Sequence, residues 1–228
     1  SSGTPFITSE GKVYFAGDNS TGQAGDGTTA TKLEWIESTP ASSYPIVGLA
    51  TGSGFNQALD ANGQLWSTGY NASGQLGLGV TDTSRNIFTA VSGNGNQAVS
   101  CGYEHTVRIN SSGYLEACGN GNSYRMGTGG STNSNTFISA DGGSASSEMY
   151  NRKAKSIWAA YAGIFAIRDD DVLCFAGWNE VGGGGVNSAT QLIQYYTACD
   201  TTNYTYGGVT ETPVQVANFY DGAGGQHS

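Results

Sequence analysis

Short apolar runs alternate with turn formers along the chain, and the pattern repeats. In the stretch 58–79, two strand-length segments flank a turn at Asp60-Ala61-Asn62-Gly63, and a glycine-rich bend follows Gly69. The same ladder of glycines stands at Gly11, Gly17, Gly25 and Gly27, at Gly63, Gly69, Gly77 and Gly79, and at Gly113, Gly119, Gly127 and Gly129. A fourth copy carries Asp171 in the turn, then Gly177, Gly185 and Asn187. From Gly17 to Gly69, Gly119 and Gly177 the period is 52, 50 and 58 residues, a spacing of propellers and arrays. The pattern predicts an all-β chain with almost no helix.

The expected repeats span approximately 1–44, 45–96, 97–153 and 154–216, with 217–228 opening a fifth. In the first, Pro5-Phe6-Ile7-Thr8 and residues 12–17 read as a hairpin, with an outer strand over Leu33-Glu34-Trp35-Ile36. In the second, residues 45–50 form the opening strand. The third reads as one alternating strand over residues 97–107. In the fourth, Pro213-Val214-Gln215-Val216 reads as the outer strand. Two segments exceed the needs of the repeat, 141–152 and 191–212. The chain begins within an inner strand and ends at the equivalent place, so both edges are expected to be open, covered by further blades or other chains.

Glycine is plentiful, 36 of 228 residues, but its fixed offsets indicate repeated tight turns rather than low complexity. The ladder positions Gly11, Gly17, Gly63, Gly69, Gly113, Gly119 and Gly177 are therefore assigned to geometry and not to chemistry. Only 12% of residues are charged and the net charge is −9, which disfavours binding to nucleic acid over a broad face. No apolar run is long enough to span a membrane. The first residues lack a signal-peptide profile, so an exported protein would have lost its leader or leave without one.

Gly102-Tyr103-Glu104-His105-Thr106, Asn62-Gly63-Gln64-Leu65-Trp66, Gly69-Tyr70-Asn71 and Gly74-Gln75-Leu76-Gly77-Leu78-Gly79 together resemble the repeat of the regulator of chromosome condensation family. The resemblance implies a β-propeller with four blades present, part of a larger, seven-bladed ring. Repeat three departs from it at Tyr124-Arg125-Met126-Gly127 and repeat four at Gly182-Gly183-Gly184-Gly185.

Candidate chemistry is sparse. There is no phosphate loop, zinc-protease motif or serine elbow, so no catalytic residue, metal site or cofactor is expected and the chain reads as a non-enzymatic binding module. His105 and His227 share a motif position and are expected to make structural hydrogen bonds between blades. Asp169-Asp170-Asp171 could catch calcium but reads better as a solvated turn. Cys101, Cys118, Cys174 and Cys199 lack CxxC spacing and read as buried apolar side chains, with one disulfide as the alternative. Four Asn-x-Ser/Thr sequences start at Asn19, Asn71, Asn110 and Asn203.

Tyr195, Tyr196, Tyr204 and Tyr206 fall in the longest insertion and are the candidate binding residues, since a tyrosine offers an apolar face and a polar tip to a partner. The expected partner is a protein or a cell-surface glycan receptor. The Gly/Ser/Thr/Asn-rich composition resembles phage tail proteins, so a bacteriophage tail-fibre or receptor-binding propeller in a virion or extracellular setting is the expectation. A secreted or cell-surface bacterial inhibitor or adhesin is the alternative. Nucleotide exchange on a small GTPase is disfavoured by the charge.

Overall fold

The computed structural model describes residues 3–179, 186 and 192–199 with their side chains, and residues 205–206, 209–210, 219–220 and 226–227 as strand backbone. Four antiparallel sheets follow one another. The first holds β1 (Thr4–Ile7), β2 (Val13–Gly17) and β3 (Lys32–Glu37). The second runs β4 (Ile46–Gly52), β5 (Phe55–Asp60), β6 (Leu65–Tyr70), β7 (Ser84–Ala90). The third runs β8 (Ala98–Cys101), β9 (His105–Ile109), β10 (Leu115–Gly119), β11 (Ser134–Ser139). The fourth runs β12 (Ala154–Ala160), β13 (Gly163–Arg168), β14 (Leu173–Trp178), β15 (Leu192–Ala198). A single 3-10 turn at Asn122–Tyr124 is the sole helical element among the described residues.

In blades 2 to 4 the strands pair in chain order, and their first strands β4, β8 and β12 neighbour one another, with β1 beside β4. Register fixes the equivalences. Gly69 faces Phe55, Gly119 faces His105 and Gly177 faces Gly163, so these are second-strand and third-strand partners in successive blades. By the same count β1 is a second strand, and the first sheet has no counterpart of β4 among the described residues. The run 97–107 is two strands, because Gly102, Tyr103 and Glu104 turn and the Gly102 N–H donates to the His105 carbonyl at 2.9 Å.

The ladder glycines have a direct physical cause. Gly69, Gly119 and Gly177 sit at φ of 100°, 107° and 126°, where an L side chain is strained. A Cβ on them would stand 2.3–2.4 Å from the carbonyl oxygens of Gly54, Glu104 and Ala162. Each also marks a register irregularity between third and fourth strands, so the glycine bends the blade at the same place every time.

One slot per blade is filled by one ring, from either of two strands. In blades 2 and 3 the second strand brings Phe55 or His105, and the third strand has small Ser67 or Ala117 at the matching place. In blades 1 and 4 the second strand has glycine, and the third strand supplies Phe15 or Phe175. Those rings lie so near that a Cβ on Gly3 or Gly163 would come within 1.9 or 2.7 Å of them. Volume is conserved while the donor strand changes.

Blades join through the loop between third and fourth strands. The glycine that ends each loop's bend lies against an aromatic of the next blade's fourth strand: Gly25 on Phe88, Gly77 on Phe137, Gly127 on Tyr196. Polar bonds reinforce the first two seams. Asn56 Nδ2 donates to the Gln23 carbonyl at 2.8 Å, and Thr106 Oγ1 to the Gln75 carbonyl at 2.8 Å. At the third seam the second strand offers Ile164 instead, and Met126, Met149, Ile164 and Tyr196 pack in one apolar cluster.

Candidate binding surfaces

The turns between first and second strands gather at one end of the array. There the Ser53 N–H donates to the Tyr103 carbonyl at 2.9 Å and the Tyr103 N–H to the Tyr161 carbonyl at 3.3 Å, tying three blades edge to edge. The rings of Tyr103 and Tyr161 lie 4.8 Å apart, and both are half-buried. They border a cavity of about 470 Å³ shared by Gly3–Pro5, Thr51–Ser53, Cys101–Tyr103 and Ala159–Tyr161. Glycine makes this mouth possible: a Cβ on Gly102 would meet the Ala160 carbonyl at 2.4 Å and the His105 ring at 2.0 Å.

His105 lies beneath this mouth, fully buried, with its Nε2 3.3 Å from the Gly163 carbonyl of the next blade. The interblade hydrogen bond expected from the sequence is therefore present. Burial, and then the charge of Arg125, push its pKa down to about 3, partly offset by the bond to Gly163. The ring is neutral at physiological pH, with Nε2–H donating. His227 falls in a strand described by backbone alone.

Of the four candidate tyrosines, Tyr195 and Tyr196 are described with their side chains, and the two differ in exposure. Residues 192–198 are the fourth strand of blade 4, and Tyr196 occupies the place that Phe88 and Phe137 hold in their blades, fully buried. Burial raises its pKa well above the ordinary value. A surface role for Tyr196 is thus corrected to a core role, because the repeat demands an aromatic under Gly127. Strand β15 pairs with the third strand β14, whereas residues 213–216, read from the sequence as an outer strand, lie outside the described residues. Tyr195 is half-buried beside Gly129 and Gly142. Tyr204 lies outside the described residues, and Tyr206 is described by its backbone alone; within the 191–212 insertion, residues 192–199 are described with their side chains and 205–206 and 209–210 as strand backbone.

The 141–152 insertion is likewise structural. Met149 and Ser147 are buried, and the Glu148 N–H donates to the Tyr196 carbonyl at 2.9 Å. Its charged ends meet the acidic turn. Arg168 bridges Glu148 and Asp170, Arg152 pairs with Asp169 and Asp170, and Lys155 with Asp171 at 2.7 Å. The hydrogen bond from Arg168, more than its charge, holds the Asp170 carboxyl down to about 2. The acidic run is an exposed hairpin turn, as read from the sequence, with its carboxylates ion-paired, and no metal-holding cluster occurs among the described residues.

Other polar positions are committed too. Asn19 and Asn71 are fully buried and knot their loops, each accepting a backbone N–H, from Ala24 at 2.8 Å and Leu76 at 3.2 Å. Neither is open to a glycan. Asp60 is pushed up by burial, but bonds from Ser42, Trp66, Gln64 and Asn62 outweigh that and keep its carboxyl below the usual range. The four cysteines are free thiols, and burial lifts Cys101, Cys174 and Cys199 to about 12.

Comparison with known proteins agrees with this geometry. Residues 62–109 match the model of the Regulator of chromosome condensation (RCC1) repeat. The Ultraviolet-B receptor UVR8 of Arabidopsis thaliana is 32% identical over 116 residues, which is 50% of this chain and 26% of that protein. The E3 ubiquitin-protein ligase HERC2 of Homo sapiens is 28% identical over 127 residues, 54% of this chain and 3% of that protein. Among solved structures, human WBSCR16 superposes with a TM-score of 0.74 at 19% identity, covering 86% of this chain and 50% of that one. Prp20p of Saccharomyces cerevisiae gives 0.70 at 16% identity, covering 88% and 49%. The chain thus spans about half of each solved structure and a smaller part of the two sequence relatives. With its glycine ladder, its bent four-stranded sheets and the repeat at 62–109, the chain is an array of RCC1-like propeller blades.

Proposed function

We propose that the chain is a non-enzymatic protein-binding module, whose contact surface is the end of the array where the Ser53, Tyr103 and Tyr161 turns converge. The observation that supports this most is the 470 Å³ cavity with the Tyr103–Tyr161 ring pair at its edge, mounted on turns that are bonded to one another. A rigid mouth of this kind presents aromatic surface at little entropic cost. The net charge of −9 favours a basic partner. The structure of Prp20p is described with its binding to Gsp1p and histones, so histones are a suitable basic probe. Calorimetry with purified histone dimers should show binding that weakens with salt and is lost in Tyr103→Ala/Tyr161→Ala. Equal binding by the double variant would refute the assignment of the surface.

A second reading is favoured by composition: 36 glycines and 12% charged residues suit a bacteriophage tail-fibre or a secreted bacterial propeller that attaches to a surface protein or glycan. A glycan array and whole-cell binding read this directly, with Tyr195→Ser as the variant nearest the original aromatic cluster. Attachment unchanged in both Tyr195→Ser and Tyr103→Ala would remove it.

A further inference from the structure

Asparagine followed by glycine occurs three times, at Asn62-Gly63, Asn94-Gly95 and Asn120-Gly121. In such a pair no side chain shields the glycine nitrogen, which can reach the amide carbon of the asparagine before it. The fold treats the three pairs differently. In the turn between β5 and β6 the Gly63 N–H donates to the Asp60 carbonyl at 2.9 Å, and the Asn62 N–H to Asp60 Oδ1 at 3.0 Å. After β10 the Gly121 N–H donates to Asn133 Oδ1 at 3.0 Å. The Asn120 amide there is bonded at both ends, to Glu104 Oε2 at 2.8 Å and from the Asn122 N–H at 2.9 Å. In the loop between β7 and β8, Asn94 and Gly95 are both exposed, and among the described residues neither the Asn94 amide nor the Gly95 N–H has a hydrogen-bond partner. That loop is anchored on either side of the pair. Arg108 Nη1 donates to the Ser92 carbonyl at 3.3 Å, and Asn96 donates to the Gly63 carbonyl from its N–H at 3.0 Å and from Nδ2 at 2.8 Å. Between the anchors Gly93 and Gly95 sit at φ of 86° and 74°, in a conformation that glycine enters and leaves freely.

We infer that Asn94 is a modification site, at which the folded protein deamidates spontaneously to isoaspartate. The Gly95 nitrogen gives its proton to solvent base and attacks Asn94 Cγ. The new N–C bond closes a succinimide ring as the Cγ–Nδ2 bond breaks, and Nδ2 takes a proton from water and leaves as ammonia. Water then opens the ring at either carbonyl. Attack at Cγ gives aspartate, whereas attack at the main-chain carbonyl gives isoaspartate, in which the backbone runs through the former side chain. The second path dominates, because the amide nitrogen on the neighbouring α-carbon withdraws electrons from the main-chain carbonyl. One water is taken up and one ammonia released, with no oxidant, reductant or enzyme. The order of the three sites follows from their bonds. Asn94 can close the ring as it stands, Asn62 must first break the bond from Gly63, and Asn120 must break those of Gly121 and of its own amide. Gly93 and Gly95 absorb the extra backbone atom of isoaspartate while the anchors at Ser92 and Asn96 stay in place.

Ageing the full chain tests this. The purified protein is held at pH 8 and 37 °C, sampled over days, digested and mapped by mass spectrometry, which reads conversion at each of the three pairs. Isoaspartate is read separately, as methyl groups accepted from labelled S-adenosylmethionine in the presence of an isoaspartyl carboxyl methyltransferase. A parallel sample is kept unfolded in concentrated guanidinium chloride. In the folded chain Asn94 should convert roughly fivefold or more faster than Asn62, the factor set by one hydrogen bond, and faster still than Asn120. In denaturant the three rates should converge, with Asn94 close to its folded rate and the other two accelerated. Asn94→Gln, whose longer side chain closes the ring poorly, should remove most of the methyl acceptor that forms in the folded protein. Equal conversion at the three pairs in the folded chain overturns the inference, as does an Asn94 that stays intact when folded and converts only in denaturant. A methyl acceptor that forms as fast in Asn94→Gln as in the wild type overturns it too.

Discussion

Replacing His105 by phenylalanine should make the fold less sensitive to acid. The wild-type imidazole is buried neutral, with its pKa near 3 against 6.5 for a free histidine. Between those two values the unfolded chain binds a proton that the folded chain refuses. Stability is therefore full above pH 6.5 and falls as pH drops toward 3. At pH 5 the loss is about 1.5 pKa units, or ~2 kcal/mol relative to pH 7. For a chain of this size that is a fall of about 4–8 °C in the unfolding midpoint. Phenylalanine fits the slot, because Phe55 fills the equivalent slot of blade 2 beside Gly52 as His105 does beside Gly102. His105→Phe gives up the bond to the Gly163 carbonyl, which costs about 1 kcal/mol at neutral pH, and removes the proton linkage. Urea melts followed by tryptophan fluorescence at pH 7, 6 and 5 read both effects, and His227, present in both proteins, cancels in the difference. Parallel pH profiles for the two proteins would refute the buried neutral histidine.

Other predictions concern packing. Gly177→Ala should destabilise by ~2 kcal/mol or more, since a Cβ there meets the Ala162 carbonyl at 2.4 Å at φ of 126°; an unchanged urea midpoint would contradict the bend. Gly163→Phe and Phe175→Ser should each be damaging alone and compensate together, recreating the Phe55 and Ser67 arrangement; a double-mutant cycle with no coupling would dismiss the shared slot. Tyr196→Ala should cost about 3–5 kcal/mol, as loss of a buried aromatic does, while Tyr195→Ser should cost much less. Comparable thermal shifts for both would undo their separation into core and surface.

The blades could be read from the sequence because turns with positive φ admit little but glycine, and that constraint repeats at fixed offsets. The hairpin of repeat one and the outer strand at Lys32–Glu37 followed from the same logic. The exchange of a ring between strands was hidden, since Gly163 and Phe175 look unrelated until register brings them together. Tyr196 was misassigned because it sits among polar residues and a second tyrosine, which suggested a loop. A signal existed: Trp35, Phe88, Phe137 and Tyr196 follow Gly17, Gly69, Gly119 and Gly177 by 18, 19, 18 and 19 residues. Spacing alone would have marked it as a strand aromatic. The cavity at the Tyr103 and Tyr161 turns had no local signature, because it is assembled from four blades about fifty residues apart.

The central claim is that each blade is pinned to the next by a loop glycine seated on a strand aromatic. Ring currents measure this directly. In a proton NMR spectrum the α-protons of Gly25, Gly77 and Gly127 should all be shifted upfield and show cross-relaxation to the rings of Phe88, Phe137 and Tyr196 respectively. Glycine signals at ordinary positions, with no contact to those rings, would contradict the account.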